Sequence, residues 1–226
     1  MKSHTFIAKP FIEKANRIKY DLELLEREQR TKKSMEDIKK IREKFTIIRK
    51  SGIPILTGAT GHNFNHPNLL LFVFLYKEIN EVFNEAQTNP VMADMPETLS
   101  LQELKEMSVV SEDRLSLAHI GDAALELGVI ASIWPPNTTT ILKKQYLHDE
   151  RNKLVENIPL SRYWESMQLY DNSTIFVEHP NENPDTKGSY MEAVFGIIYL
   201  ESGLEAVESA IQNLKCNYEK NHNKDS

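Results

Sequence analysis

The sequence predicts an all-α fold on three observations. Apolar residues recur at three- and four-residue steps through most of the chain, the spacing of one helix face. The alternating pattern of a half-buried strand is convincing nowhere, Thr174–Glu178 being its best candidate. Proline- and glycine-bearing breaks cut the chain into helix-sized lengths, with no repeats and no low-complexity segment.

The elements follow in order. Phe11 to about Arg30 carries Ile18, Leu22 and Leu25 on one face, and Met35 to about Lys50 carries Ile38, Ile41, Phe45 and Ile48, which together read as an amphipathic hairpin. Ser51-Gly52-Ile53-Pro54 then supplies a stop, because Gly52 can take a left-handed cap and Pro54 cannot continue a helix. A boundary is placed there, between a basic helical extension over 1–55 and a body over 60–218. Pro67 opens a helix to Glu85, and a polar linker from Asn89 to Glu97 precedes a short helix, capped by Thr98 or Ser100, that reaches Met107. Arg114–Ser132 reads as a long, mostly apolar helix stopped by Trp134-Pro135-Pro136-Asn137. Helices fit Thr140–Val155, Pro159–Met167 and about Gly188–Tyr199, and after the Gly203 break a last one spans Leu204–Tyr218.

Composition narrows the function classes. With 226 residues, 40% of them apolar, the folded chain can bury roughly 70% of the surface its unfolded form exposes, enough for one core and a short appendage. The single cysteine, Cys216, excludes an internal disulfide or a thiolate metal cluster and points to a reducing, cytoplasmic setting. The longest apolar run, Leu69 to Tyr76, is eight residues where a membrane span needs about 20, so no membrane partner is expected. The net charge of −6 conceals an uneven distribution: residues 1–50 hold fifteen Lys and Arg against eight Asp and Glu, a balance of +7, and the rest stands at −13. A basic arm on an acidic body suits contact with a polyanion, the alternative being two solvated helix faces.

Two helices are apolar nearly all round yet carry acids. In Leu117-Ala118-His119-Ile120-Gly121-Asp122-Ala123-Ala124-Leu125-Glu126-Leu127, Asp122 and Glu126 are one turn apart on one face. In Gly188-Ser189-Tyr190-Met191-Glu192-Ala193-Val194-Phe195-Gly196, Glu192 has apolar neighbours on both sides. Burying an unpaired carboxylate costs several kcal/mol. Packed face to face, the two helices would bring Asp122 and Glu192 together, and like charges that close call for a divalent cation, for which Mg²⁺ prefers oxygen ligands. Pairing of each acid with a base such as Arg114, Arg151 or Lys187 is the alternative. Gly121 and Gly196 read as positions that let helices approach. His119 reads as a packed or interface histidine, and Asp185, after Pro184, as a helix N-cap or a substitute ligand.

The Leu117–Leu127 stretch resembles the signature helix of ribonuclease III domains. Three further segments are similar in the same order: Gly61-His62-Asn63-Phe64 with Pro67-Asn68-Leu69-Leu70, Leu147-His148-Asp149-Glu150-Arg151-Asn152-Lys153-Leu154-Val155-Glu156-Asn157, and the run from Lys187 through Met191-Glu192-Ala193-Val194-Phe195-Gly196 to Gly203. The likeness covers about residues 60–218. It implies a helical domain that forms a homodimer and cuts double-stranded or structured RNA with Mg²⁺ (or Mn²⁺), with Asp122 and Glu192 as catalytic metal ligands and Glu126 and Asp185 as further candidates. Other family acids fall here on Leu115, Ala118 and Ser189, and one near Lys144. The compact Mini-ribonuclease III group, which lacks a double-stranded RNA-binding domain, has a similar Leu-Ala-aromatic-Ile-Gly-Asp helix and a small hydroxyl residue where Ser189 lies. The alternative is a catalytically inactive relative that binds RNA or sits on a ribosome beside a ribosomal protein, with residues 1–50 as the contact.

Overall fold

The computed structural model describes residues 4–28, 32–88, 101–134, 141–167 and 183–222, and within them every regular element is helical. The candidate strand Thr174–Glu178, the linker from Asn89 to Glu97, the caps Thr98 and Ser100, Thr140 and the Pro135-Pro136 stop lie outside the described residues.

The hairpin consists of α1 (His4–Glu28) and α2 (Lys32–Ile47), with Pro10 inside the first helix. The stop expected at Ser51–Pro54 is absent. Ile48–Gly52 forms a π turn in which Ile53 N–H reaches Ile48 O, Gly52 keeps right-handed angles (φ −64°), and α3 (Ile53–Thr60) follows at once. The wider turn accommodates Pro54, whose missing N–H falls in the first turn of α3, where no intrahelical partner is required. The left-handed cap falls instead on Gly61 (φ 72°), whose N–H reaches Thr57 O at 2.7 Å.

The helix read over Pro67–Glu85 is divided. Pro67–Leu69 is a 3₁₀ turn, α4 is Leu70–Phe74, and Leu75 (φ −124°) bends the chain into α5 (Tyr76–Thr88). Then come α6 (Leu101–Met107), α7 (Val110–Ile133), α8 (Lys144–Val155), α9 (Asn157–Ser166), α10 (Pro184–Ser202) and α11 (Leu204–His222). Pro184 and the Asn183 side chain, which accepts from Thr186 N at 2.9 Å, start α10 well before Gly188. Asn183, not Asp185, is therefore the N-cap.

The paired helices α7 and α10 form the centre, with α11, α8 and α5 against α7 and α9 and α1 against α10. Among the described residues α7 is long and apolar enough to cross a membrane by length and composition (mean hydropathy 1.3), yet here it packs as a core helix. The hairpin is docked rather than extended. Ile18, Leu22, Leu25, Ile38, Ile41, Phe45 and Ile48 join the same buried cluster as Leu69–Leu75, Phe83 and Phe195. Among the described residues, ion pairs of Lys14 with Asp113 at 2.5 Å, Lys44 with Glu78 at 2.7 Å, and Arg17 with Glu103 fasten it to the body.

Candidate functional site

The α7–α10 crossing is a backbone contact. A β-carbon on Gly196 would meet Leu117 O at 2.1 Å, and Gly121 faces the backbone of Glu192. Glycine at both positions removes the spacers that normally hold helix axes 8–10 Å apart. Asp122, next to Gly121, is thereby carried to Glu192, the juxtaposition that face-to-face packing requires.

Both carboxylates are partly buried. Burial and, second, the charge of Asp122 push Glu192 up to about 7, with Arg114 opposing them. Among the described residues the charge of Arg114 thus compensates the Glu192 carboxylate only in part. Two partly buried carboxylates close enough for one charge to act on the other are an oxygen donor set of the kind Mg²⁺ or Mn²⁺ takes, water or substrate oxygens completing the coordination. The residues therefore fit a divalent ion, although among the described residues no group of three or more His, Cys, Asp or Glu is placed to hold one.

The remaining candidates are placed elsewhere. Glu126 is engaged by Arg151 of α8. Asp185 accepts from Asn157 Nδ2 at 2.9 Å, and its seven-residue separation from Glu192 amounts to about 10 Å along the axis. His119 is exposed on the outer face of α7, and Cys216 is exposed on α11. Of the bases named as alternative partners, Lys187 binds Glu165 at 2.7 Å. Arg114 instead donates from Nη1 to Ser189 Oγ at 2.9 Å.

Arg114 is 8% exposed. Its guanidinium lies 4.6 Å from the Tyr76 ring centroid and 5.5 Å from that of Tyr190, and Tyr190 continues into Trp164 (5.2 Å between centroids) and Phe74 (5.7 Å from Trp164). Its signal in the sequence is a lone base opening an apolar helix. Glu201 is the residue that sequence reasoning missed. Its fully buried carboxylate accepts from Asn65 N at 3.0 Å and His66 N at 2.7 Å and meets His62 Nε2 at 2.8 Å, tying the 61–66 turn to the end of α10.

The ribonuclease III domain family model matches residues 115–203, from the first turns of α7 through the end of α10. Neither the curated proteins nor the solved structures contain a match to the chain. The segment that holds Asp122 and Glu192 is thus the segment that matches the ribonuclease III domain family, residues 115–203 of the chain.

Proposed function

We propose that the chain is a divalent-metal-dependent endoribonuclease of the cytoplasm that cleaves double-stranded or structured RNA as a homodimer, in the manner of the compact Mini-ribonuclease III group. The observation that carries this reading is the Asp122–Glu192 pair, two partly buried carboxylates brought together at the glycine crossing, where burial and the charge of Asp122 raise Glu192. Asp122 and Glu192 are the ligands of Mg²⁺ or Mn²⁺; Glu126 and Asp185, already engaged, stand outside the set. When bound, the ion supplies positive charge against the scissile phosphate and makes water a stronger acid. Glu192 holds a proton below about pH 7, so ion and proton compete for the same oxygens.

Dimerisation is supported by the outer face of α7. Leu115 (47% exposed), His119, Ala123, Leu127 (57%), Ala131 and Trp134 (39%) succeed one another at three- and four-residue steps with their side chains in solvent. A two-fold dimer across that face would match the opposite polarity of two RNA strands with two identical sites. The exposed bases of α1 and α2 are suited to hold phosphates, and α7 is read as a core helix with no membrane role. A second reading, an inactive RNA-binding or ribosome-associated protein with a ribosomal protein as neighbour, is favoured by one observation: Ala118 and Ser189 leave the site two carboxylates and no more.

Incubating duplex RNA with the protein and Mg²⁺ or Mn²⁺ tests the assignment. Cleavage is expected, to be lost on chelation and in Asp122→Asn, which keeps shape and removes charge. A wild type that binds RNA but cuts it with neither ion moves the protein to the second reading.

A further inference from the structure

We propose that Arg114 is a built-in cation of this site whose fixed charge stands in for a second divalent ion, so that each subunit binds one ion only. This rests on the ribonuclease reading of Asp122 and Glu192 and extends it to a residue just outside the matched segment.

The geometry is that of a charge held in place. A guanidinium is never deprotonated in a folded protein, and burying one is costly without partners. Arg114 is more than nine-tenths buried, and among the described residues its direct partners are neutral: the Ser189 hydroxyl and the Tyr76 and Tyr190 ring faces. Its buried Nε has no hydrogen-bond partner among the described residues. The positive charge is therefore not cancelled where it sits, and it acts on Glu192, one helical turn from Ser189.

The donor count agrees. Displacement at a phosphodiester builds negative charge on both the attacking and the leaving oxygen, and a pair of metal ions is one way to meet it. Here Asp122 and Glu192 supply ligands for one ion. A second would have to be held beside Ser189, by a hydroxyl, against a guanidinium of its own sign. Fixed dipoles and charges aimed at a site stabilise such charge without reorganising. Being buried, Arg114 does not touch RNA. It is a positioning residue that acts through Ser189 and Glu192.

The test is the Mn²⁺ stoichiometry of the whole chain, read by electron paramagnetic resonance titration, with circular dichroism confirming that each variant is folded. The wild type should bind one ion per subunit. Arg114→Gln with Ser189→Asp removes the charge and adds a carboxylate, and should bind two. Arg114→Lys with Ser189→Asp keeps the charge and should remain at one, a contrast that a packing role for Arg114 would not produce. Two ions in the wild type, one in the folded Gln–Asp variant, or two in the Lys–Asp variant overturns the proposal. If the Gln–Asp variant does not fold, Ser189→Asp alone decides: one ion upholds the proposal and two overturn it. A wild type that binds no ion overturns this proposal and the metal reading together, whereas two ions with cleavage intact overturn this proposal alone.

Discussion

A β-carbon placed on Gly121 would sit 1.7 Å from the backbone oxygen of Glu192. The obstacle is main chain, so no rotamer relieves it, and any larger residue forces α7 and α10 apart. Gly121→Ala should destabilise the protein by about 1–3 kcal/mol or more and weaken the rise in Tm that Mn²⁺ produces, although no ligand side chain has changed. Gly58→Ala is the control: nothing lies within 4 Å of a β-carbon there, and alanine in that helix should be neutral or stabilising by up to about 1 kcal/mol. Denaturation with and without Mn²⁺ measures both. Equal stability of the two variants would show that the helices do not need the glycine contact.

Glu192 gives the metal-free protein a definite pH dependence. Its folded pKa, about 7, lies above its ordinary 4.5, so the folded state binds the proton more tightly. The stability this lends is fully present below about 4.5 and is lost as pH rises through 7. Burial raises Asp21 and Asp113 in the same direction, so the measurement is a difference. Tm of the wild type should fall from pH 4.5 to 7.5 more steeply than Tm of Glu192→Gln, and saturating Mg²⁺ should remove most of that excess. Parallel curves would mean that Glu192 titrates normally.

How much of this was legible in the sequence depends on where each signal lives. The meeting of Asp122 and Glu192 was readable because an acid on an otherwise apolar helix face has few explanations, and the close approach at Gly121 and Gly196 because small residues at a crossing leave a pattern. The continuation of α2 into α3 was not readable. Gly52-Ile53-Pro54 carries a stop signal, and only the π turn at Ile48–Gly52, set by packing of both helices on one core, explains why the helix does not end there. Leu75 likewise bends an apolar run whose periodicity says nothing of a bend. Arg114 stood in plain sight, but its partners come from two other elements: Tyr76 of α5 and Ser189 and Tyr190 of α10 reach it on α7. Contacts of that separation have no spacing rule.

The outer face of α7 yields a third prediction. Leu127, at 57% exposure one of its most exposed apolar side chains, should lie inside the interface if α7 meets a second copy of itself. Leu127→Arg would then place two like charges across the two-fold axis in a dry contact, at a cost of several kcal/mol. The wild type should sediment as a dimer at micromolar concentration and the variant as a monomer of unchanged helical content. Leu127→Arg remaining dimeric would remove α7 from the interface. Ile158, 54% exposed on α9, is the comparison site, and Ile158→Arg should leave the mass unchanged.

The basic hairpin separates into two sets of charges with different expected effects. Lys14 is one-fifth exposed and paired with Asp113, whose pKa burial already raises. Lys14→Met leaves that carboxylate half-buried and unpaired and should cost about 1–3 kcal/mol of stability, with no change in how RNA affinity depends on salt. Lys39, Lys40, Arg49 and Lys50 are exposed on α2 and the π turn, and the ion pairs of Lys39 with Glu43 (3.9 Å) and Lys40 with Asp37 (3.3 Å) are solvent-facing, worth little and easily exchanged for a phosphate. Replacing all four with Gln should leave Tm nearly unchanged. The slope of log affinity against log salt concentration should flatten by up to about one unit per phosphate contact removed. A slope that stays the same, in a variant that still binds RNA, would show that the hairpin's charge faces another partner and that RNA is held elsewhere on the body.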